Sequence, residues 1–217
     1  MKKHSLFLLF IINLLFACQS KKQQQNQSLL ATKDVQRIAL IGGTLISSME
    51  NYGYFEKALL QHFPKGSVSL RNIGWPADDV YGLARAQFGS AQNTRSWQPP
   101  SAEEGFGAKV LMEHIEAAAP KTMLIGYGTE AAKAINAGEF EIFTSGYIRL
   151  LDFAESKGIK LILLAPPKQE AVFGHPIGLE NERLGKATQF IQTEAEKRGH
   201  LFINLYEELI TDPTKQI

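Results

Sequence analysis

Arg37-Ile38-Ala39-Leu40-Ile41-Gly42-Gly43 is the stretch that decides the fold. Its apolar residues are continuous rather than alternating, which is typical of a β-strand buried on both faces of a parallel sheet. Helical patterns separate it from four further apolar runs, at 68–73, 122–127, 161–165 and 201–205. This alternation predicts an α/β domain with a three-layer, flavodoxin-like doubly wound sheet of about five parallel strands.

The ligand site of a doubly wound sheet lies beyond the carboxyl ends of its strands. That rule directs attention to segments 43–44, 74–79, 128–130 and the loop that carries His175. The connection formed by residues 76–106 is unusually long. Loops of such length are often functional covers.

The first residues predict an export signal. Lys2 and Lys3 precede an apolar run that ends at Phe16, and a run of that length is too short to cross a membrane as a stable helix. Leu15-Phe16-Ala17-Cys18 resembles the lipobox of bacterial lipoproteins, in which the signal is cut before the cysteine and the cysteine is acylated. An ordinary signal peptide with an incidental cysteine is the alternative. The expected parts are a signal peptide at 1–17, a polar tether at 18–34 and a domain at 35–217.

The composition excludes several classes of function. The chain has 23 Lys and Arg residues against 22 Asp and Glu residues, and loss of Lys2 and Lys3 with the signal leaves the charges nearly balanced. A near-neutral chain without a clustered basic face argues against nucleic-acid binding. The single cysteine, Cys18, excludes an internal disulfide or a cysteine-ligated zinc site, and the histidines have no ligand spacing. We therefore expect no metal and no cofactor.

The expected partners are a small ester or glycan ligand and the membrane. A lipid on Cys18 would hold the exported protein in the cell envelope, in the periplasm or at the outer membrane.

Three segments, each at the end of a predicted strand, resemble the SGNH, or GDSL-type, hydrolase superfamily. Residues 37–45 resemble its first block, a strand that runs into Gly-Asp-Ser-Leu. Arg71-Asn72-Ile73-Gly74-Trp75-Pro76-Ala77-Asp78 resembles the second block, Asn-x-Gly-x-x-Gly-Asp, and Ile125-Gly126-Tyr127-Gly128-Thr129-Glu130 resembles the third, Gly-x-Asn. A divergent branch whose first block reads Gly-Asn-Thr is the best match. The resemblance covers most of residues 37–206 and implies an esterase or acyl hydrolase.

The resemblance also implies a role for each matching residue. In the family a serine hydroxyl attacks an ester carbonyl after a histidine takes its proton, and backbone N–H groups with an asparagine amide stabilise the oxyanion. Thr44 stands at the nucleophile position. The residues expected to bind the oxyanion or the substrate are Gly43, Asn72, Gly74, Ala77 and Glu130.

Several of these positions depart from the family pattern. The extra methyl group of Thr44 crowds the approach to an ester, and a threonine that only hydrogen-bonds the turn is the alternative. The N–H of Ala77 can donate provided that its backbone angles are not those reserved for glycine. An ionised Glu130 donates no hydrogen bond, so it could serve only if burial raised its pKa; the alternative is a cap on the following helix. Asp78 and Asp79 are expected to hold their loop or to cap a helix.

The general base is the main gap in the resemblance. The family's last block, Asp-x-x-His, does not occur before the sequence stops at Ile217, through either truncation or loss. His175 is the candidate substitute, and an ordinary loop histidine is the alternative. His62 and His114 fall within predicted helices and His200 begins the fifth strand, so none of them is expected at the site.

Two hypotheses fit the sequence. The first is a lipid-anchored esterase or acyl hydrolase that acts on an envelope or carbohydrate ester. The second is a catalytically inactive SGNH-like module that binds a carbohydrate or an acylated glycan, and the departures at Thr44, Ala77 and Glu130 motivate it. A flavin or nucleotide protein is disfavoured, because no Gly-x-Gly-x-x-Gly opens the first helix.

Overall fold

The structure is a computed structural model that describes residues 35–63, 67–86, 106–134, 136–170 and 177–209. The chain divides into two compact units, Met1–Gln36 and Arg37–Ile217, and the second unit holds the sheet and helices apart from the first residue of the first strand. Among the described helices, none has both the length and the apolar character needed to cross a membrane. The predicted signal peptide, the tether with Cys18, and His175 lie outside the described residues.

Strands and helices alternate along the described chain. In order they are β1 (Gln36–Gly42), α1 (Thr44–Ser48), α2 (Tyr54–His62), β2 (Val68–Asn72), α3 (Leu83–Ala86), α4 (Phe106–Ala118), β3 (Thr122–Gly126), α5 (Ala137–Ser156), β4 (Lys160–Leu164), α6 (Gly178–Arg198), β5 (Leu201–Ile203) and α7 (Leu205–Glu208). Short 3-10 helices at Met49–Asn51 and Thr129–Lys133 follow α1 and β3.

The five strands form one sheet in the order β2-β1-β3-β4-β5. The pairings of β3 with β1 and β4, and of β4 with β5, are parallel. In the register of β1 and β3, Ile38 lies beside Thr122 and Gly42 beside Gly126. This order is the flavodoxin-like one, whose switch point lies between β1 and β3. The predicted α/β fold with a doubly wound parallel sheet is confirmed.

The core covers both faces of the sheet. Every residue of β3 is buried, as its unbroken apolar sequence requires in the centre of a parallel sheet. Phe143 and Tyr147 of α5 pack against Phe190 of α6, with ring centroids 5.9 and 5.8 Å from that of Phe190. Such aromatic contacts add about 0.5–1.5 kcal/mol each beyond the burial of apolar area. The packing fixes α5 and α6 against the sheet and leaves the loops at the strand ends to form a site.

The sequence pattern missed the shortest elements. Helix α1 begins at Thr44, directly after β1, and only Ile46 among its five residues is buried. A single buried residue produces no apolar periodicity, so nothing in the pattern marks this helix. The long connection at 76–106 contains another such element, α3, while residues 87–105 lie outside the described part of the chain.

Candidate active site

The first and second family-like blocks meet at Thr44 and Ala77. The exposed Thr44 starts α1 at the carboxyl end of β1, and its Oγ1 accepts a hydrogen bond from the Ala77 N–H at 2.9 Å. Ala77 comes from the loop after β2, which is the neighbour of β1 in the sheet. The Ala77 N–H therefore lies beside the candidate nucleophile and is bonded to its hydroxyl oxygen.

Ala77 has the backbone conformation of a glycine. Its φ is +57°, in the left-handed region that side chains with a Cβ rarely adopt. The sequence analysis required that the backbone angles of Ala77 not be those reserved for glycine, and this requirement is not met. The Ala77 N–H nevertheless donates to Thr44 Oγ1. The loop holds Ala77 in this conformation at a cost of about 1–2 kcal/mol.

Glycines allow the loops of the site to approach each other closely. A Cβ on Gly43 would lie 2.9 Å from the Asp78 carbonyl oxygen, and a Cβ on Gly74 would lie 2.7 Å from the Ser47 nitrogen. Neither distance is compatible with a side chain. Gly43 and Gly74 therefore make possible the contact between the β1 and β2 loops that brings Ala77 to Thr44.

The Asn72 amide is committed to the backbone of these loops. Its Nδ2 donates to the Ile46 carbonyl oxygen at 2.7 Å, and its Oδ1 accepts from the Gly74 N–H at 2.9 Å. These bonds tie the end of β2 to α1. Asn72 positions the loops, although it also lies in the wall of the cavity described next.

A cavity of about 820 Å³ opens beside Thr44. Its wall comes from α1 and the following 3-10 helix, from the end of β2 and its loop, and from α4. The lining residues are Thr44, Ser47, Ser48, Glu50, Asn51, Arg71, Asn72, Ile73, Gly74, Trp75, Pro76, Arg85, His114, Ala117 and Ala118. This wall combines hydroxyl, amide, carboxylate and cationic groups with apolar surface from one indole and several aliphatic side chains.

Glu130 lies in a different depression from Thr44, together with Asp79 and Lys133. One carboxyl oxygen, Oε2, accepts from the Gly128 N–H at 2.8 Å, so the side chain closes the start of the 3-10 helix as the capping alternative requires. The other, Oε1, is buried and has no hydrogen-bond partner among the described residues. Burial raises the pKa of Glu130 to about 7, the hydrogen bond from Gly128 opposes the rise, and the carboxylates of Asp79 and Asp78 add to it.

The two aspartates of the second block hold its loop, as expected. Asp78 is buried in an ion pair with Arg85, with Nε to Oδ2 at 2.7 Å, and accepts a hydrogen bond from the Tyr127 hydroxyl at 2.8 Å. Asp79 Oδ1 accepts from the N–H groups of Tyr81 and Leu83 at 2.9 and 3.1 Å. Burial raises the pKa of Asp79, whereas these two hydrogen bonds act to lower it.

Solved structures of esterases and lipases resemble this architecture. A GDSL-like lipase from Bacteroides thetaiotaomicron matches with a TM-score of 0.57 and 15% identity over 91% of this chain and 82% of that chain. A lipase/acylhydrolase from Enterococcus faecalis matches with a TM-score of 0.52 and 17% identity, over 82% and 80% of the two chains. A catalytic mutant of an acetylxylan esterase from Geobacillus stearothermophilus matches with a TM-score of 0.55 and 15% identity, over 84% of each chain.

The chain has the GDSL hydrolase fold. At these identities the likeness concerns the fold alone. No protein-family model and no curated protein matches the sequence.

His114 is the residue of this GDSL-fold cavity that sequence reasoning missed. It lies on α4, as predicted, but its side chain lines the same cavity as Thr44. Arg85 donates from Nη1 to His114 Nδ1 at 2.9 Å across 29 positions of sequence. Burial and the Arg85 charge lower the pKa of His114. A helical pattern shows that a histidine is on a helix, but it does not show which loop side chain reaches it.

Arg85 is the second residue that the sequence did not reveal. It belongs to the long connection after β2, yet it is only 3% exposed. Its Nη2 donates to the Ile73 carbonyl oxygen at 2.7 Å, and its guanidinium lies 5.7 Å from the centroid of the Trp75 ring. Arg85 thereby connects the end of β2, the buried Asp78 and His114.

No cluster of three or more metal-ligating side chains occurs among the described residues of this GDSL fold. The candidate base His175 lies outside them.

Proposed function

We propose that the protein is an ester hydrolase of the SGNH type, with Thr44 as its nucleophile. The observation that carries this proposal is the exposed Thr44 hydroxyl at the wall of the cavity, 2.9 Å from the backbone N–H of Ala77. The hydroxyl, the neighbouring donor and the space for a substrate are three of the elements that acyl transfer needs, and a base is the fourth.

The reaction would proceed by attack of Thr44 Oγ1 on the ester carbonyl carbon. A base takes the hydroxyl proton as the new C–O bond forms, and the carbonyl oxygen becomes an oxyanion to which the Ala77 N–H donates. The oxyanion collapses, the bond to the alcohol breaks, and the alcohol leaves with a proton. Water then hydrolyses the acyl-threonine ester. His175 is the proposed base, because it follows β4 in the sequence and β4 ends at the same edge of the sheet as β1.

The substrate is proposed to be a small ester carried by a carbohydrate of the cell envelope. The wall of the cavity offers several donors and acceptors to a hydroxylated ligand, beside apolar surface that includes the Trp75 indole. The similarity in fold to an acetylxylan esterase is in keeping with this substrate class.

A non-catalytic carbohydrate-binding module is the second candidate. Two observations favour it. Thr44 Oγ1 has no recorded hydrogen bond to a basic side chain among the described residues, and the Glu130 carboxyl turns away from Thr44 to bond Gly128. In this case the same cavity would bind the glycan without turnover.

The variants Thr44→Ala and Thr44→Ser separate the two candidates. With the full chain and 4-nitrophenyl acetate, an ester hydrolase should lose at least about 100-fold in kcat/KM in Thr44→Ala, because the covalent step is removed. Thr44→Ser keeps the hydroxyl and removes the crowding methyl group, so it should retain or increase the rate. Equal rates in the wild type and Thr44→Ala would exclude Thr44 as the nucleophile, and no hydrolysis by any of the three proteins would favour the binding module.

We also propose that the protein is exported and anchored in the cell envelope by a lipid on Cys18. Incorporation of labelled palmitate into the wild type and its loss in Cys18→Ala is the expected result. Labelling of Cys18→Ala at the wild-type level would reject the anchor without affecting the proposal for the domain.

A further inference from the structure

His114 lies in the wall of the cavity beside Thr44, and one of its two ring nitrogens already takes part in a hydrogen bond. Its Nδ1 is 2.9 Å from Arg85 Nη1. A guanidinium is a donor only, so Nδ1 must be the acceptor, and the neutral ring must carry its proton on Nε2. The structure records no hydrogen-bond partner for Nε2 among the described residues. The fixed tautomer thus leaves one N–H donor on a side chain that lines the cavity.

Arg85 is held firmly enough to fix this tautomer. Its Nε binds Asp78 Oδ2 and its Nη2 binds the Ile73 carbonyl oxygen, both at 2.7 Å. The Trp75 ring packs beside it, at 5.7 Å from the Arg85 Cζ and 6.3 Å from the centroid of the His114 ring. Two polar contacts and an aromatic neighbour therefore orient the guanidinium towards Nδ1.

The same contact prevents His114 from acting as a general base. The Nδ1 lone pair is occupied by a cation, and Nε2 already carries a proton. A second proton would place an imidazolium beside the Arg85 guanidinium. A catalytic base needs the opposite partner, a carboxylate on Nδ1 that leaves the Nε2 lone pair open. His114 can thus donate a hydrogen bond from Nε2–H, but it cannot accept a proton from a nucleophile.

We propose that His114 is a substrate-binding residue that donates from Nε2–H to a hydroxyl or ring oxygen of a saccharide in the cavity. This rests on the proposed function in taking the cavity as the place where the carbohydrate part of the substrate binds. A saccharide fits the surroundings of Nε2. The Trp75 indole is a flat apolar surface beside His114, and Asn51, Glu50 and Arg71 add polar groups to the same cavity. Its volume of about 820 Å³ is large enough for a disaccharide.

Two amide variants separate binding from a purely structural role of His114. In His114→Asn the amide oxygen takes the place of Nδ1 and can still accept from Arg85, but the distal donor is lost. In His114→Gln the amide nitrogen takes the place of Nε2 and keeps the distal donor, while the contact with Arg85 weakens. A structural role predicts that the Asn variant resembles the wild type, whereas a binding role predicts that the Gln variant does.

The first measurement is the affinity of the full chain for O-acetylated xylobiose by isothermal titration calorimetry, with Thr44→Ala as the background so that the probe is not consumed. The dissociation constant should rise about tenfold in His114→Asn and at most about threefold in His114→Gln, as expected for loss of one hydrogen bond. Where the protein with Thr44 hydrolyses the probe, His114→Asn should raise KM and change kcat little, because a contact remote from the reacting carbonyl is made equally in the ground and transition states.

The second measurement is the tautomer itself, by NMR of protein labelled with 15N-histidine. His114 should be neutral with its proton on Nε2, and the probe should shift the Nε2 resonance more than the Nδ1 resonance. A proton on Nδ1, a wild type that does not bind the probe, or equal affinity in the wild type and His114→Asn would overturn the inference. Saccharide binding that depends on His114 without any ester hydrolysis would reject the esterase and leave this inference standing.

Discussion

The two arginine clusters of the domain lie at opposite edges of the sheet and differ in their contact with water. Arg85, at the carboxyl ends of the strands, is 3% exposed and pairs with Asp78, which is 4% exposed. Arg198 ends α6 at the other edge and binds three carboxylates, of which the side chain of Asp152 remains 59% exposed. The charges beside the cavity are thus fully buried, whereas at the opposite edge only Glu194 is buried and the side chains of Arg198, Glu155 and Asp152 are 15%, 34% and 59% exposed.

The difference in burial bears on two separate effects of a charged cluster, the stability that it adds to the fold and the orientation that it gives to neighbouring residues. A buried ion pair adds little net stability, because desolvation of the two charges offsets their attraction. The Arg85 cluster does, however, define the orientation of His114, the end of β2 and the loop that carries Ala77. The Arg198 cluster connects α5 to α6, where the aromatic packing already fixes both helices. We therefore interpret the buried cluster as the part of the fold that determines the geometry of the cavity.

Replacing each arginine by methionine gives the largest expected effect. Arg85→Met leaves the Asp78 carboxylate buried without its cation, and we expect a loss of about 3–5 kcal/mol in the free energy of unfolding. Arg198→Met leaves Asp152 and Glu155 in contact with water and leaves Glu194 paired with Lys197, so we expect a smaller loss of about 1 kcal/mol that shrinks further in salt. Urea unfolding followed by circular dichroism measures both.

The double variant Asp78→Leu/Arg85→Met is the control for this comparison. It removes both charges and should recover part of the stability lost in Arg85→Met. Equal losses in Arg85→Met and Arg198→Met would show that burial does not distinguish the two clusters.

Glu130 allows the comparison to include the pH dependence of the free energy of unfolding. Its pKa rises from 4.5 to about 7 in the folded protein, so between these values the folded state holds a proton that the unfolded chain has released. The stability contribution of Glu130 is complete below pH 4.5 and is lost as the pH rises to about 7. Glu130→Gln, which cannot ionise, should gain relative to the wild type by about 3 kcal/mol between pH 4.5 and pH 8.

Unfolding of the wild type and Glu130→Gln in urea at pH 4.5, 6 and 8 measures this gain. A constant difference between the two proteins at all three pH values would mean that the Glu130 carboxyl ionises alike in the folded and unfolded chains.

The smallest expected effect compares two alanines with positive φ, one at each edge. Ala77 has φ +57° in the loop beside Thr44, and Ala119 has φ +43° after α4, just before β3 begins. Glycine relieves the strain at both positions, so Ala77→Gly and Ala119→Gly should each raise the free energy of unfolding by about 0.5 kcal/mol. Thermal melts measure the stability, and only Ala77→Gly should alter the rate of ester hydrolysis. An altered rate in Ala119→Gly would contradict a local effect at the site.

The sequence predicted the sheet well, because burial on both faces produces the unbroken apolar runs of β1, β3 and β4. It also predicted that Thr44, Ala77 and Glu130 would be neighbours at one cleft, since the carboxyl ends of adjacent parallel strands meet at one edge. Thr44 and Ala77 are neighbours, whereas Glu130 lies in a different depression. Both inferences rest on patterns within short stretches of chain, which a sequence displays directly.

The environment of His114 could not be predicted from such patterns. Its partner Arg85 is 29 positions away and lies in a connection that has no apolar periodicity. An arginine is ordinarily solvated, and nothing in the sequence marks this one, in the short helix α3, as buried. The glycine-like conformation of Ala77 was equally hidden, because alanine shows no preference for the left-handed region.

Gly42 and Gly126, at the ends of β1 and β3, have a consequence for redesign of the cavity. Ile46 is fully buried, and a Cβ on Gly42 or Gly126 would lie 2.5 Å from its side-chain carbons. The Ile46 side chain thus occupies space that is available only because positions 42 and 126 have no side chain. Thr44 precedes Ile46 by two residues in the same helix. Mutant libraries that aim at new ligands should keep both glycines and vary the opposite wall, since even a methyl group at position 42 or 126 would displace Ile46 and, with it, α1 and Thr44.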